Sequence, residues 1–324
     1  MDFIYELNFN LYKNAMSTVS SDIHLNEEDL EDDNKGEFLS RYTIVLDDED
    51  SSLLDCETGS DSEELPRKKR NKKFIGNESI LSIYHRKMTE LGDVGFQLWA
   101  GAFLLSDFII NEKEQFKDVV IFELGCGVGF LAILLGMLQH KQSFVTDRAD
   151  IIPMAQKNFK TNEHLISNAD HSSVQIKPFD WILGDRNFDI ERGWWSEQDK
   201  RELAESPVYY VAADVIYDDN LTSILFSSLS QIMKVGDDRL YIAIEKRFNF
   251  SITELSLIAH GYRRLINIIG DKNIDDIEQV TYCVNGKECF FKGSRMYINF
   301  PQRVMNYNRT KYLELWDVRL VMKN

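Results

Sequence analysis

Short apolar runs and longer amphipathic runs alternate along the chain from residue 80 onward. The short apolar runs predict buried strands, over residues 117–123, 143–146, 174–179, 208–213 and 240–244. The longer runs predict helices, over residues 98–110, 129–139, 151–165 and 221–234. Strands that alternate with helices of this length indicate βαβ units. We therefore expect one doubly wound α/β domain with a mostly parallel, seven-stranded sheet, in which residues after Val280 supply an antiparallel pair at one end.

The first 75 residues lack this pattern. Residues 26–64 contain 16 acidic and 2 basic residues, and they contribute −14 to a net charge of −16 for the whole chain. Low hydrophobicity combined with charge self-repulsion favours disorder. We expect an acidic, largely disordered arm over residues 1–75, which ends in a basic run, and a folded domain over residues 76–324. Within the arm, the apolar patch 42–46 is suited to pair as an edge strand.

Six of the seven residues from 67 to 73 are basic. Such a run is typical of a nuclear import signal or a nucleic-acid patch, and also of a solvated linker that offsets an acidic segment. The net charge of −16 argues against a general nucleic-acid-binding protein. We expect a nuclear protein, with the cytoplasm as a second location, that does not itself bind nucleic acid.

The composition also excludes several other classes of protein. The four cysteines show no CxxC or Cys/His spacing and the six histidines show no ligand spacing, so we expect no metal site and no disulfide framework. The first residues contain no basic or apolar leader region. The most apolar stretch, residues 124–138, is shorter than the roughly 18–20 residues that cross a bilayer. The sequence therefore predicts a soluble monomer without a membrane partner.

Three glycines recur at alternate positions directly after the first predicted strand, which ends at Glu123. They are Gly125, Gly127 and Gly129. Glycines let a ligand lie against bare main chain, and the helix that follows attracts negative charge to its N-terminus. A carboxylate at the strand end suits a cofactor with an amino group and no pyrophosphate, as in S-adenosylmethionine sites. Counted from Gly127, the spacing to Ala132 also fits the looser dinucleotide fingerprint, so a nicotinamide cofactor stays as an alternative.

A carboxylate stands at the end of each of the next two predicted strands. Asp147 follows Gly127 by 20 residues, a position from which acids accept ribose hydroxyls in nucleotide folds; a helix N-cap is the alternative. Asp180 can accept from an adenine amine, and Trp181 can pack on the base, although a lone tryptophan is more often a core residue. We predict that all three side chains bind the cofactor.

The fourth predicted strand ends at Ala213 and delivers Asp214 to the edge where open α/β sheets bind ligands. Tyr217 lies three residues further on and shares a helical face with Asp214, so the two can flank an incoming nucleophile. We interpret Asp218 and Asp219 as the start of the next helix, with Asp219 as its N-cap.

The chain resembles the seven-strand methyltransferases of the D-x-x-Y protein-lysine group. The resemblance covers residues 80–320 and rests on the glycine motif, on the carboxylates described above, and on residues 213–219 (ADVIYDD), 245–250 (EKRFNF) and 313–316 (LELW). It implies that the indole of Trp99 lines the methionine end of S-adenosylmethionine. It also implies backbone contacts to the cofactor from Gly125, Cys126, Gly127 and Ala213. Relatives often have alanine in place of Cys126, which we interpret as a small buried residue and not as a reactive thiol.

The resemblance implies methyl transfer from S-adenosylmethionine to a lysine of a protein, with a nucleic-acid-binding nuclear protein as one candidate. In this hypothesis Asp214 receives and orients the lysine head group, and Tyr217 forms an aromatic wall beside it. Two alternatives keep the same fold, namely transfer to RNA or a small molecule, and a catalytically silent binding module. The mildly acidic domain argues against RNA. Intact Asp214 and Tyr217 beside an intact glycine motif argue against a silent module.

Overall fold

The computed structural model describes residues 18–21, 36–46, 78–166, 173–246, 249–251, 256–258, 260–270, 280–305 and 307–323. Its strands are β1 (Thr18–Ser20), β2 (Phe38–Val45), β3 (Glu78–His85), β4 (Met88–Glu90), β5 (Val120–Leu124), β6 (Gln142–Asp147), β7 (Val174–Pro178), β8 (Val208–Ala213), β9 (Arg239–Glu245), β10 (Asn249–Ser251), β11 (Ser256–Ile258), β12 (Tyr282–Val284), β13 (Lys287–Met296) and β14 (Leu313–Met322). Its α-helices are α1 (Ala100–Asn111), α2 (Lys113–Phe116), α3 (Phe130–Met137), α4 (Ile152–Thr161), α5 (Glu197–Glu205), α6 (Asp219–Ile232) and α7 (His260–Ile269). Short 3-10 helices span Leu91–Phe96, Glu163–Leu165, Gly184–Phe188 and Ile190–Arg192.

In the described part of the chain, the central sheet has eight strands in the order β7-β6-β5-β8-β9-β14-β13-β12. The first five of these strands are parallel, and the last three add antiparallel pairs. This topology confirms the predicted doubly wound α/β fold with a mostly parallel sheet. The sheet has one strand more than the predicted seven, because the three-residue β12 folds back onto β13. A tight turn at Asn285 and Gly286, both with positive φ, makes this possible.

The side chains of β5 alternate between two hydrophobic clusters, one on each face of the sheet. Phe122 belongs to the cluster that is covered by α6 and α7, whereas Ile121 belongs to the cluster that is covered by α1 and α3. All residues of β5 are buried, as expected of a parallel strand with helices on both faces. This packing fixes the end of β5, and the glycine loop that follows it, at the carboxyl edge of the sheet.

The segment Leu91–Asn111, which ends in α1, is long and apolar enough to cross a membrane. However, 72% of its most apolar window is buried inside the protein. Phe103 and Phe108 of α1 are almost completely enclosed by the first hydrophobic cluster. The segment is therefore placed as a core helix of the domain.

The antiparallel pair of strands β2 and β3 differs from the predicted organisation of the first 75 residues. These residues were expected outside the core, with residues 42–46 suited to pair as an edge strand. The strand β2 does pair with β3, but its Tyr42 and Ile44 are fully buried in the first cluster. The ring of Tyr42 lies 5.2 Å from that of Phe103 in α1. Acidic neighbours on both sides lower the average hydrophobicity of this stretch, so the composition does not reveal that the strand is buried. Most of the predicted arm, including the basic run 67–73, lies outside the described residues.

Asn158 of α4 and Asn162, the residue that follows this helix, join the pair of strands β2 and β3 to the domain. Asn162 accepts from the backbone N–H of Ser82 and donates to its carbonyl, both at 2.8 Å. Asn158 repeats this pair of bonds with Tyr84, at 2.7 and 2.8 Å. The second N–H of the Asn158 amide donates at 2.8 Å to the carbonyl of Val128 in the glycine loop. The two amides thus bond the backbone of β3 as a neighbouring strand would. Asn158 also connects β3 to the glycine loop.

Asp107 of α1 is fully buried and holds the segment between β13 and β14. Its carboxylate accepts hydrogen bonds from the backbone of Arg303 and Val304 at 2.6 and 2.8 Å. It also accepts from the hydroxyl of Tyr307 and, at 2.7 Å, from the guanidinium of Arg309. A single carboxylate therefore binds together the core helix and the connection that precedes β14.

We expect Asp107→Ala to lower the free energy of unfolding by about 3–5 kcal/mol, because it leaves the largely buried guanidinium of Arg309 without its counter-charge. Urea unfolding followed by circular dichroism measures this loss. Asp118→Ala, at an exposed position beyond the same helix, is the matched control and should change stability by less than about 0.5 kcal/mol. Equal stability of the two variants would show that Asp107 does not stabilise the fold through Arg309.

Candidate functional site

The loop between β5 and α3 contains the three predicted glycines, and all three have positive φ. Gly127 has φ +53°, and a Cβ added there would lie 3.0 Å from the carbonyl oxygen of Gly95. The backbone at Gly127 is therefore bare and closely faced by another main-chain segment. Gly129 has φ +82°, and its added Cβ would lie 2.9 Å from Cα of Ala155 in α4. The structure thus gives Gly129 a packing function between two helices, and its contact with the cofactor stays a prediction.

Glu123 is the most unusual side chain of the site. It is 2% exposed, and its Oε2 has no hydrogen-bond partner among the described residues. Burial, assisted by the negative charge of Asp147, raises the pKa of Glu123 to about 8. A buried acceptor without a partner is costly unless a ligand satisfies it. The position next to the glycine loop suits a cationic amino group.

Asp147 at the end of β6 contacts the glycine loop directly. Its Oδ2 accepts from the backbone N–H of Gly127 at 2.8 Å, and its Oδ1 accepts from that of Arg148 at 2.7 Å. Burial raises its pKa to about 6, although these hydrogen bonds act in the opposite direction. Each oxygen keeps a second lone pair with which to accept a hydroxyl. The predicted contact with ribose is compatible with this geometry and stays a prediction.

Asp180 and Trp181 follow β7, and both are half-buried. The indole of Trp181 lies against the loop, since a Cβ added to Gly125 would be 3.4 Å from its Cζ2. The carboxylate of Asp180 accepts from the backbone N–H of Ile182 at 2.9 Å. The structure therefore brings the predicted Trp181 and Gly125 together at one side of the crevice.

Asn187 supports this side of the crevice, and sequence reasoning missed it. Its fully buried amide accepts from the backbone N–H of Asp180 at 2.8 Å and donates to the carbonyls of Asp180 and Gly184, both at 2.7 Å. The residue lies within a polar insert without periodicity, so the sequence holds no signal for its function.

A segment between β4 and α1 lies over the glycine loop. The Gly95 carbonyl faces Gly127, and the guanidinium of Arg148 donates to the carbonyl of Gly92 at 3.0 Å. The half-buried Trp99 is the N-cap residue of α1, and its indole N–H donates to the carbonyl of Val94 at 3.0 Å. Trp99 therefore precedes the helix in which it was predicted and belongs to the segment that lies over the glycine loop.

Asp214 follows Ala213, the half-buried last residue of β8, and it is 8% exposed. Its Oδ2 accepts from the backbone N–H of Gly101 at 2.6 Å, and its Oδ1 accepts from that of Glu245 at 2.7 Å. Its φ of +54° is uncommon for a residue with a side chain. Asp214 thus ties the first turn of α1 to the end of β9, a positioning function that sequence reasoning missed. Its predicted contact with a lysine stays a prediction.

Tyr217 is half-buried in the turn between Asp214 and α6. The start of α7 lies against it, since a Cβ added to Gly261 would be 2.9 Å from the backbone nitrogen of Tyr217. The N-cap of α6 is Asp218, whose Oδ1 accepts from the backbone N–H of Leu221 at 2.8 Å. The prediction of Asp219 as N-cap was wrong by one residue.

Cys126 is buried in the glycine loop, and its backbone N–H donates to the carbonyl of Thr146 at 2.9 Å. Burial, reinforced by the charges of Asp147 and Glu123, raises the pKa of its thiol. These surroundings match the small buried residue that was predicted, because a reactive thiol requires a lowered pKa. Among the described residues, no group of three His, Cys, Asp or Glu side chains is placed to hold a metal ion.

The profile of the lysine methyltransferase family matches residues 77–259, more than half of the chain, and the chain belongs to this family. Methyltransferase-like protein 22 of Mus musculus is 31% identical over 244 residues, which cover 74% of this chain and 59% of that protein. The Homo sapiens protein of the same name is 30% identical over 250 residues, with 74% and 57% covered. Protein-lysine N-methyltransferase rrg1 of Schizosaccharomyces pombe is 24% identical over 140 residues, with 43% and 46% covered. The chain spans less than two thirds of the length of these relatives.

Membership in this family agrees with the predicted class of enzyme, for which S-adenosylmethionine is the predicted cofactor. The residues of the site fit this group. Among the described residues, the buried Oε2 of Glu123 has no hydrogen-bond partner, and this suits the cationic amino group of the methionine part of the cofactor. The predicted contacts of Asp147 with a ribose and of Trp181 with a base are compatible with the positions of these side chains and stay predictions. The nicotinamide alternative is not supported.

Affinity for S-adenosylhomocysteine, the demethylated cofactor, is expected to rise as the pH rises from 6 to 8. Glu123 has a pKa of about 8 in the free protein and is mostly neutral at pH 7, so binding an ammonium group expels its proton. Asp147, with a pKa of about 6, adds to the loss of affinity at the lower end of this range. One expelled proton corresponds to at most about tenfold in affinity per pH unit.

Calorimetry in two buffers with different ionisation enthalpies measures this proton release at pH 7. Glu123→Gln is the matched control, because it keeps the size of the side chain and removes its titration. Wild-type affinity that does not change between pH 6 and 8 would show that Glu123 does not face the ligand.

Proposed function

We propose that this chain transfers a methyl group from S-adenosylmethionine to a lysine side chain of a protein. The observation that carries the proposal is the row of carboxylates at one edge of the sheet. Glu123 and Asp147 end or nearly end β5 and β6, and Asp180 and Asp214 follow β7 and β8. Open parallel sheets bind their ligands outside this edge. Since β5 lies between β6 and β8, Asp214 stands on the opposite side of the glycine loop from Asp147.

The cofactor supplies a methyl group on a positively charged sulfur, which is a good leaving group, so the protein contributes mainly position and exclusion of water. A lysine amine has a reference pKa of about 10.4 and must lose a proton before it attacks. A crevice poor in water lowers that pKa because it disfavours the charged form. The half-buried Tyr217 contributes to such surroundings, whereas the carboxylate of Asp214 attracts and orients the ammonium. Neither side chain has to act as a strong base.

The hydrogen bonds of Asp214 support a function in orienting the lysine head group. Because Gly101 and Glu245 hold one lone pair of each oxygen, the carboxylate has a fixed direction. A negative charge in this position attracts a lysine ammonium. Asp214 thus orients the lysine head group with a carboxylate that the protein itself keeps in place.

A protein as the acceptor is supported by the relative from Schizosaccharomyces pombe, which is a protein-lysine N-methyltransferase. Transfer of tritium from labelled S-adenosylmethionine into a nuclear extract, followed by separate treatment with protease and RNase, tests the class of acceptor. The proposal predicts that protease releases the label from the macromolecular fraction and that acid hydrolysis yields labelled methyl-lysine. Label that RNase removes, or that appears only in small molecules, would contradict it.

The proposal includes a nuclear location, with the cytoplasm as a second one, and a nuclear protein that binds nucleic acid as a candidate substrate. Its support is the basic run of residues 67–73. Replacement of the six basic residues by alanine should shift a fluorescently tagged protein from the nucleus to the cytoplasm, as imaging of living cells would show. An unchanged nuclear signal would remove the run from the proposal.

A further inference from the structure

A buried carboxylate forms ion pairs with two cationic side chains near Asp214. Glu314 of β14 is fully buried, and its Oε1 lies 2.6 Å from Nζ of Lys246 and 3.0 Å from a terminal nitrogen of Arg295. Its Oε2 accepts from the indole N–H of Trp316 at 3.0 Å. We call Lys246, Arg295 and Glu314 the cation rim. One negative and two positive charges leave the cation rim with a net charge of +1.

The cation rim adjoins the residues to which the acceptor lysine is assigned. Lys246 lies one residue beyond the backbone N–H that Asp214 binds at 2.7 Å. Its Nζ is 4.2 Å from the centre of the Tyr262 ring, at the start of α7. The neighbouring Gly261 packs against the backbone of Tyr217. The rim therefore continues the crevice from β8 across β9 and β14 to β13.

The two cations differ in exposure. The side chain of Lys246 is 21% exposed, whereas that of Arg295 is 55% exposed. One cation is enough to compensate the charge of Glu314. A guanidinium has five N–H donors in a fork that matches a carboxylate. Arg295 thus reaches into solvent with donors to spare, from a position that Glu314 fixes.

We propose, on the basis of the function proposed above, that the cation rim binds an acidic side chain of the substrate protein close to the target lysine. Neighbouring strands lie about 4.8 Å apart, so three steps from β8 to β13 separate Asp214 from Arg295 by about 14 Å. An extended peptide covers about 3.3 Å per residue. The acid therefore stands about four residues from the lysine, on one side only. An acid at one end of this surface and cations at the other fix the direction in which the substrate lies.

Peptides with a central lysine test this inference when a single glutamate is moved through the five positions on each side. With wild-type enzyme and labelled S-adenosylmethionine, glutamate about four residues away on one side should raise kcat/KM about tenfold. Arg295→Glu should abolish this preference and favour a lysine at the same position. Lys292→Glu, an exposed residue of the same strand, makes the same charge change away from the rim and should keep the preference.

The outcomes separate the inference from the proposed function. Labelled lysines without a preference for a flanking acid, or a preference that survives in Arg295→Glu, would overturn the inference and leave the proposed function intact. Absence of labelled lysine both in the peptides and in the proteins of a nuclear extract would contradict the proposed function itself.

Discussion

Replacement of Gly127 by arginine is expected to abolish measurable binding of S-adenosylhomocysteine. The backbone at this position has φ +53°, and an added Cβ would lie 3.0 Å from the Gly95 carbonyl, so even the first atom of a side chain is too close. An arginine must therefore displace the segment that lies over the glycine loop, and the predicted contact of the cofactor with the main chain is disrupted. Isothermal titration calorimetry of the purified variant measures the loss directly.

Gly193→Arg is the matched control for this substitution. Gly193 also has positive φ, +70°, but a Cβ added there has no neighbour within 4 Å. Both variants therefore carry the backbone strain of a side chain in the left-handed region. Only Gly127→Arg also collides with the segment that lies over the glycine loop. Wild-type affinity in Gly127→Arg would show that the cofactor site is placed wrongly.

Asp214→Asn is expected to slow methyl transfer by about 100-fold or more while affinity for the cofactor stays within a few-fold of wild type. Asparagine keeps the size of the side chain, but its NH₂ group cannot accept from Gly101 or Glu245, so one bond of the tie is lost. The charge that favours an incoming ammonium is lost as well. Glu123 and Asp147 keep their own contacts on β5 and β6. Single-turnover rates with saturating cofactor measure the step.

Asp218→Asn serves as the control in the same turn, since asparagine caps a helix about as well as aspartate does. It removes one negative charge four residues away and should leave the rate of transfer nearly unchanged. Wild-type transfer by Asp214→Asn would remove Asp214 from the mechanism. The D-x-x-Y box would then have a structural function alone.

The central elements of the fold could be predicted because their signals are local. Apolar runs placed β5, β6, β8 and β9 within a few residues of their observed bounds, and glycines at alternate positions placed the loop before α3. The strand β2 shows the limit of this reasoning. Its partner β3 lies beyond a long polar segment, and Tyr42 is buried by Phe103 of α1, which no window of neighbouring residues can reveal.

For the candidate site too, the sequence predicted some features and could not predict others. The sequence identified the carboxylates that stand at strand ends, because the order of elements alone brings them to one edge. It could not identify what they bind. Asp214 accepts a hydrogen bond from Gly101, 113 residues earlier in the chain, and Asn158 accepts one from Tyr84, 74 residues earlier. Such bonds depend on how the helices pack on the sheet, so the fixed direction of Asp214 is visible only in the structure.

Mass spectrometry of proteins methylated with deuterium-labelled S-adenosylmethionine tests the central claim most directly. Wild-type enzyme and Gly127→Arg are incubated in parallel with the same nuclear extract, and every labelled residue is mapped. The account predicts trideuterated methyl groups on the side-chain nitrogen of one or a few lysines with the wild-type enzyme, and none with Gly127→Arg. Equal lysine labelling by both enzymes, or labelling of other residue types alone, would contradict it.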